Sequence, residues 1–412
     1  MNQNKINFAI VGVRNFAGVH IKNIQKLEKE SEMELKGVVI RNKRKNRPEK
    51  EDLSSQGIKI FDSYKDLLNN GENLVDIISL PTSIHTHAEM ANQAMKAGYN
   101  VLLEKPPAPT VEEIDRMIKT EKETGKFCSI GFQFIHSRSI RRLKNIILRG
   151  ELGQIKEIAT KGYWPRYRSY YERNNWAGRS IVEGNLVLDG PMHNAFAHYL
   201  NNMLFLASRE KSDTASLKKV RAELYRGHTY IEADDTSCLE AETETGTKIY
   251  FYVNHTSQKS QDPYTEIIGE KGRAIWYKNE KTEINFNNGS TQEFDNEGID
   301  PWLEVFRTTA RAHRGGLERP YCTPSNCRNF VVAINGAYES SKTISPIPEE
   351  YVEEFETEGG KFKTEVENIE EIMDEAFRKR KLLSDLDLEW ARPTDSVNVE
   401  NYKRFQPFLA NH

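Results

Sequence analysis

The chain has 412 residues, with 58 Lys and Arg against 61 Asp and Glu and a formal charge of −3. That balance offers no electrostatic draw towards nucleic acid or an anionic membrane surface, and the length suggests two domains with a sizeable core in each. The amino terminus, Met1-Asn2-Gln3-Asn4-Lys5, leads at once into the first apolar run, so neither a signal peptide nor a membrane span is expected. Four cysteines, Cys128, Cys238, Cys322 and Cys327, are too few for a disulfide framework, which points to reduced thiols and a cytoplasmic location. Cys322 and Cys327 lack the usual zinc spacing and no second pair completes a site, so no metal is expected.

Asn7 to Val11 reads as a strand that breaks at Gly12-Val13-Arg14-Asn15-Phe16-Ala17-Gly18 and continues as a helix through Leu27. This is the strand, tight turn and helix context of a dinucleotide fingerprint. Met33 to Ile40 is a second strand, followed by the basic run Arg41-Asn42-Lys43-Arg44-Lys45-Asn46-Arg47, and Gly57 to Phe61 a third. Leu74 to Leu80 is the fourth, ending at Pro81-Thr82 before a helical stretch from Ile84 to Ala97. Val101 to Leu103 is the fifth, closed by Glu104-Lys105-Pro106; a helix from Val111 to Thr124 and a strand from Phe127 to Phe132 follow. Strands alternating with helices of this length predict right-handed βαβ units and a parallel sheet, giving a first domain over 1–135.

Beyond it the rhythm changes. After a helix from Ser137 to Arg149, strand-like runs come without intervening helices: Ile155 to Trp164, Val220 to Tyr225, Thr236 to Thr243, Thr247 to Asn254, Thr265 to Ile268, Arg273 to Trp276 and Thr282 to Phe286. They predict an α+β domain over 136–345 built on a large, mostly antiparallel open sheet with one face left to cover. Long helices are expected from about Pro191 to Ala207 and from about Cys327 to Thr343. In the remaining 346–412, Pro346 to Asn368 is glutamate-rich and reads as loop, Ile369 to Leu383 as an amphipathic helix, and Trp390-Ala391-Arg392-Pro393 as a turn. That extension is expected to wrap the subunit or a neighbour.

Six motifs in order, Gly12-x-Arg14-x-x-Ala17-x-x-His20, Leu80-Pro81-Thr82-Ser83-Ile84-His85-Thr86-His87, Glu104-Lys105-Pro106, Gly150-Glu151-Leu152-Gly153, Asp189-x-x-x-His193 and Gly269-x-x-Gly272, resemble the glucose-fructose oxidoreductase / inositol dehydrogenase (Gfo/Idh/MocA) family over roughly residues 5 to 345. The stretch from Tyr163 to Leu200 is similar to uncharacterised bacterial branches. The resemblance implies a Rossmann dinucleotide-binding domain, an NAD or NADP cofactor and a small carbohydrate substrate. It also implies a homodimer or homotetramer, consistent with an open sheet face that a partner would bury.

Gly12, Arg14, Asn15, Phe16 and Ala17 are the candidate pyrophosphate turn; Leu80, Pro81, Thr82, His85 and His87, with Glu104 and Lys105, are candidates to line the cofactor. Arg14 replaces the second glycine of the fingerprint, where its side chain either pairs with phosphate oxygens or blocks the approach. Arg41, with Asn42, Lys43 and Arg44, stands where an acidic residue usually binds the ribose diol, which favours a 2′-phosphate and hence NADP.

Asp189-Gly190-Pro191 reads as a helix start that puts His193 in the first turn. The helix end disfavours an imidazolium and Asp189 favours it, so the opposed effects hold the ring near neutrality, as a general acid/base requires. By resemblance, Lys105, Asp189 and His193 are catalytic: His193 takes the hydroxyl proton, Asp189 orients it and Lys105 stabilises charge on the reacting oxygen. Asn194 and His198 share a helical face and either contact substrate or pack. Trp164, Arg166, Tyr170, Tyr171 and Trp176 form an aromatic and basic cluster suited to a sugar ring, or to a core; Arg166 and Arg168 would favour an anionic substrate. Three functions are open: a sugar, polyol or sugar-acid oxidoreductase; a lyase- or hydrolase-like enzyme that oxidises a sugar transiently on tightly bound NAD; and a non-catalytic ligand sensor.

Overall fold

The computed structural model describes residues 5–30, 33–42 and 44–408, in two compact units. The first runs to Ala108, resumes over Glu113–His136 and takes in Ile299–Ser325; the second holds Pro109–Glu112, Ser137–Gly298 and the chain from Asn326 onward.

The first unit is a six-stranded sheet of β1 (Ile6–Val11), β2 (Met33–Val39), β3 (Lys59–Phe61), β4 (Ile77–Leu80), β5 (Asn100–Leu103) and β6 (Cys128–Ile130), in the order β3-β2-β1-β4-β5-β6. Every pairing is parallel. All four residues of β4 and of β5 are buried, as expected of parallel strands with helices on both faces. Among those helices are α1 (Phe16–Glu28), α2 (Arg47–Ser55), α3 (Tyr64–Asn70) and α4 (His87–Lys96). All six strands end on one side, and the strand order reverses between β1 and β4. That is the topological switch point at which open α/β sheets bind ligands.

A further helix, Pro301–His313, belongs to this unit, although the sequence reading assigns 299–325 to the second domain and foresees no helix there. Asp300 caps it by accepting from Trp302 N–H at 3.0 Å, and Pro301 occupies its first turn. Leu303, Val305, Phe306 and Ala310 enter the first unit's core, with Phe306 6.1 Å from the ring of Phe8. The helix signals are local, but the surface it covers is set by contacts with residues some three hundred positions earlier.

The second unit carries a sheet of β7 (Ile155–Tyr163), β10 (Leu217–Arg226), β11 (Thr236–Thr243), β12 (Lys248–Asn254), β13 (Gln261–Gly269), β14 (Gly272–Tyr277), β15 (Thr282–Phe286), β16 (Thr291–Phe294) and β17 (Ser345–Pro346), with a small hairpin of β8 (Ile181–Val182) and β9 (Asn185–Leu186) apart from it. Its order is β16-β15-β14-β13-β7-β12-β11-β10-β17; β20 (Val397–Asn398) adds to β10. Within this path β7 with β12 and β10 with β17 are parallel, and the other pairs are antiparallel.

Side chains alternate across β7. Gly162 faces Phe196, so closely that a Cβ there would lie 3.0 Å from the ring, whereas Ala159 and Tyr163 share a core with the chain's own tail. The tail thus covers the face that the sequence reading leaves for a partner. Its helix Ile369–Lys379 sets Met373, Ala376 and Phe377 against Tyr163 and Tyr252, and Trp390 meets Tyr225 edge-on at 5.1 Å. Residues 346–368, expected to be loop, instead form an antiparallel hairpin of β18 (Val352–Glu356) and β19 (Phe362–Val366). Val352 and Phe355 in one strand and Thr364 and Val366 in the other carry the strand signal, hidden from a composition reading by the surrounding glutamates. Among the described residues no helix is long and apolar enough to cross a membrane.

Candidate active site

At the end of β1 the chain turns so sharply that only particular residues fit. Gly12 has φ +101, and its N–H donates to Val39 carbonyl at 3.0 Å. A side chain there would be strained whatever the space, and its Cβ would lie 3.4 Å from Ala17 Cβ. Asn15 also has a positive φ, 54 with ψ −127, costly for a residue with a Cβ and of a kind that clusters at ligand-binding turns. Ala17 is buried under the turn, and Phe16 is 44% exposed, 6.0 Å from the ring of Trp302.

Arg14 is held by α2 and the segment before it. Its Nε donates to Glu49 Oε1 at 2.7 Å and its Nη2 to Lys45 carbonyl at 2.7 Å and Glu49 Oε2 at 3.3 Å. The guanidinium is therefore drawn towards α2. Arg41 and Arg44 are exposed beyond β2 with no carboxylate partner among the described residues. Asn42 spends its side chain on a local turn, accepting from Lys45 N–H at 2.9 Å; Lys43 lies outside the described residues. An open glycine turn at a helix start, with uncompensated arginines past the second strand, fits a dinucleotide.

The ends of β4 and β5 are braced from beneath. His20, on the buried face of α1, places Nδ1 2.7 Å from Ser79 Oγ and Nε2 2.9 Å from Glu104 Oε1. Glu104 Oε2 accepts from Lys105 N–H at 3.2 Å. Burial pushes the Glu104 carboxyl up, but the hydrogen bond and charge of His20, the charge of Lys105 and the Lys105 N–H outweigh it and hold it below its ordinary range. An ionised Glu104 thus fixes the backbone from which the half-buried Lys105 projects.

The sequence reading sets His87 against the cofactor; the structure turns it inward. Its ring is 1% exposed, with Nδ1 2.7 Å from Pro106 carbonyl and Nε2 3.1 Å from Thr82 carbonyl. Burial lowers its pKa, and the ring, set between the loop after β4 and the loop after β5, can in its neutral form donate to only one of the two carbonyls. Leu80 is buried, while Pro81, Thr82 and His85 are half-buried in the loop that follows.

In the second unit the regular helix starts at Ala197, not at Pro191. Residues 191–196 form consecutive turns, with Asn194 N–H on Gly190 carbonyl at 3.0 Å and Phe196 N–H on Pro191 carbonyl at 2.8 Å. The helix-end argument for His193 therefore fails, and so does the shared helical face of Asn194 and His198. What the turns achieve is different. His193 is 1% exposed, and its Nδ1 lies 3.1 Å from both Val187 and Leu188 carbonyls. Both are acceptors only, so Nδ1 carries the proton and Nε2 the lone pair of the neutral ring. Asp189 is held by Gly178 N–H at 2.7 Å and Asn194 Nδ2 at 2.6 Å. Gly190 is obligatory here, since a Cβ would lie 2.2 Å from Asp234 Oδ1. His198 is buried in the helix.

Trp164 stacks on Phe196 at 4.4 Å and donates Nε1–H to Asp262 at 3.0 Å. Arg166 and Arg173 lie over Tyr170, their Cζ atoms 4.5 and 3.5 Å from its centroid, and Trp176 is 5.3 Å from Arg173. Arg168, expected beside Arg166 as an anion ligand, is instead paired with Glu354 of the tail hairpin.

Residues 6–132 match the model of an oxidoreductase family with an NAD-binding Rossmann fold, and residues 140–275 match the C-terminal domain of the same family, Gfo/Idh/MocA. The chain belongs to the Gfo/Idh/MocA family. Inositol 2-dehydrogenase of Salmonella typhimurium is 27% identical over 222 residues, 52% of this chain and 58% of that protein. Glycosyl hydrolase family 109 protein 2 of Shewanella sp. strain ANA-3 is 26% identical over 271 residues, 59% of this chain and 56% of its own. The chain thus spans less than two thirds of the length of these curated relatives. Among solved structures, the WlbA dehydrogenase of Bordetella pertussis, in complex with NADH and UDP-GlcNAcA, superposes with a TM-score of 0.67 at 22% identity, over 84% of this chain and all of that one. That likeness is one of fold.

Within this Gfo/Idh/MocA chain the sequence reading assigns no role to Ser79, Gly178 or the bracing action of His20. His20 stands in the family motif, eight residues after Gly12. Its partnership with Glu104 spans 84 positions and is formed only by the sheet.

Proposed function

We propose that this chain is an NAD(P)-dependent oxidoreductase acting at an alcohol carbon of a sugar, polyol or sugar acid. The observation that carries the reading is the position of His193 Nδ1, 3.1 Å from two backbone carbonyls: they call for the proton on Nδ1, and in the neutral ring Nε2 is then the atom able to take a hydroxyl proton. Lys105 is assigned to the reacting oxygen, where an ammonium stabilises the charge that develops as the O–H bond breaks. Asp189 keeps the 187–194 loop in shape through Gly178 and Asn194. The nicotinamide, when bound, supplies the hydride acceptor or donor. Gly12, Asn15 and the start of α1 would receive its pyrophosphate, and Arg41 with Arg44 would receive a 2′-phosphate, so NADP is the favoured form.

The test is a panel of sugars, polyols and sugar acids followed by nicotinamide absorbance with both cofactors, in wild type and His193→Ala. Turnover whose acidic limb disappears in the variant supports the assignment, because the base must be deprotonated to act. An unchanged acidic limb removes His193 from proton transfer. A second reading, transient oxidation on tightly held NAD that ends in hydrolysis or elimination, is favoured by the glycosyl hydrolase relative, which aligns with 59% of this chain. Near-stoichiometric NAD in the purified protein without net NAD(P)H formation would select it.

The chain's own tail packs on one face of the large sheet over β7, β10, β11 and β12, and a homodimer or homotetramer is the proposed assembly. The four cysteines are free and buried, in keeping with a reducing compartment such as the cytoplasm.

A further inference from the structure

Two guanidinium groups converge on one aromatic ring in the second unit. Arg166 Cζ and Arg173 Cζ stand 4.5 and 3.5 Å from the centroid of Tyr170, and neither arginine has a carboxylate partner among the described residues. Nearby arginines are compensated: Arg168 pairs with Glu354 and Arg179 with Glu232. Two like charges drawn to one ring repel each other, a cost that an anion joining them would offset.

The base under Arg166 is rigid. Its N–H donates to His255 carbonyl at 3.0 Å, and its own carbonyl lies 3.4 Å from His228 Nε2. His228 is fully buried, with Nδ1 2.7 Å from Asp235 Oδ2, and Asp235 also accepts from Gly227 and His228 N–H groups at 2.9 and 2.8 Å. Arg166 Nε is buried without a hydrogen-bond partner. A buried donor left unmade is costly, and a ligand oxygen can satisfy it. On the other side, Arg173 is steered by its Nη1 donating to Tyr170 carbonyl. Asp189 accepts from Gly178 N–H at 2.7 Å, and Gly178 packs so closely on Tyr171 that a Cβ would lie 2.8 Å from its ring, which sets Tyr170 and its arginines one ring away from the segment that holds the 187–194 loop.

We propose that the substrate carries an anionic group, a carboxylate or a phosphate, received by Arg166 and Arg173 across the ring of Tyr170. The proposal rests on the oxidoreductase reading for the word substrate, but the anion site itself stands or falls on binding alone. Arginine suits either group because its planar fork presents two parallel donors to a pair of oxygens. The ring of Tyr170 supports both guanidiniums through its face and is positioned edge-on by Tyr171, 5.1 Å away.

The experiment is calorimetric titration of the NADPH-loaded protein with matched pairs: D-gluconate against D-glucitol, D-glucuronate against D-glucose, and D-glucose 6-phosphate as the phosphate arm. An anionic member should bind at least tenfold more tightly than its neutral counterpart, and that ratio should collapse roughly ten- to hundredfold in Arg166→Met and in Arg173→Met. Arg173→Lys, which keeps the charge and loses the fork, should restore only part of it. Preference for the phosphate over both carboxylates assigns the source as a phosphorylated sugar and still supports the site. Equal binding of acid and neutral partners, no binding of any anionic probe, or a ratio indifferent to both arginines overturns it. Arginine-dependent binding of an acid without any turnover would retain the site and reject the oxidoreductase reading; turnover of a neutral polyol with no dependence on either arginine would do the reverse.

Discussion

Lys105 owes its placement to a strand and two other residues. Its backbone follows β5, its N–H is fixed by Glu104, and Glu104 is fixed by His20. Lys105→Met should lower kcat on the order of 10²-fold or more, the effect of removing a positioned charge-stabilising donor. NADPH affinity by fluorescence titration should change little, since the pyrophosphate and ribose are assigned to other residues; a kcat near wild type would refute the catalytic role. At the other end of the cofactor, Arg41→Asp removes a cation and supplies the carboxylate that a ribose diol prefers. Loss of a charge-assisted bond worth roughly 1.5–3 kcal/mol should weaken NADPH about ten- to hundredfold while NADH gains, measured by the same titration. Equal loss for both dinucleotides would place Arg41 outside the ribose site.

Buried ionisable groups hold the ends of elements in the second unit. Lys144, 1% exposed on the helix Arg138–Leu148, donates to Phe205 carbonyl at 2.6 Å and to Ser208 carbonyl, capping the helix Ala197–Ala207 that follows the His193 loop. Burial lowers its pKa to about 7. Lys144→Met leaves those carbonyls unsatisfied and should cost about 1–3 kcal/mol in urea unfolding. At the turn after β14, Glu280 is buried against Ser137 Oγ at 2.5 Å and Ser139 Oγ at 2.8 Å, and burial pushes its carboxyl up to about 7. The folded state thus favours the protonated acid. Its contribution is full below about pH 4.5, the unfolded value, and is lost as pH rises through about 7. Glu280→Gln should remove that loss, an effect on the order of 3 kcal/mol at most, so the fall in Tm between pH 5 and pH 8 should shrink. An unaltered pH dependence would locate the proton elsewhere.

Across the second unit as a whole, the tail does for the sheet what a second subunit would otherwise do. Asp374 accepts from Tyr163 hydroxyl at 2.6 Å and from Lys161; Arg380 reaches Glu157 at 3.0 Å and also Glu266; Asp385 takes a bidentate pair from Arg221 at 2.9 and 3.0 Å. Phe377 sits 6.1 Å from Tyr252 and 5.6 Å from Tyr264. Ending the chain before Ile369 would expose this aromatic face, and light scattering on the truncated protein should show self-association or aggregation relative to the full chain. The substitution Phe377→Ala keeps the tail but opens its packing, with an expected loss of about 3–5 kcal/mol. A truncated protein that behaves in solution as the full chain does would show that the tail is not the cover.

The residues by themselves determine the parallel first sheet, because buried β4 and β5 are short, mostly apolar runs and the intervening helices are amphipathic, a periodicity written locally. They also mark Glu104-Lys105-Pro106 and the 189–193 segment, since both break a regular pattern with residue types that carry chemistry. Tertiary structure alone decides the rest. The helix Pro301–His313 finds a sheet far behind it in the chain, Arg14 finds Glu49, and Arg168 finds Glu354, so three residues or segments with a clear local signal have partners that no local signal names. His193 shows the same division. A helix start read from Asp189-Gly190-Pro191 is replaced by turns, because Gly190 must pass within a methyl group's reach of Asp234, and a contact across 44 positions outweighs local capping preference.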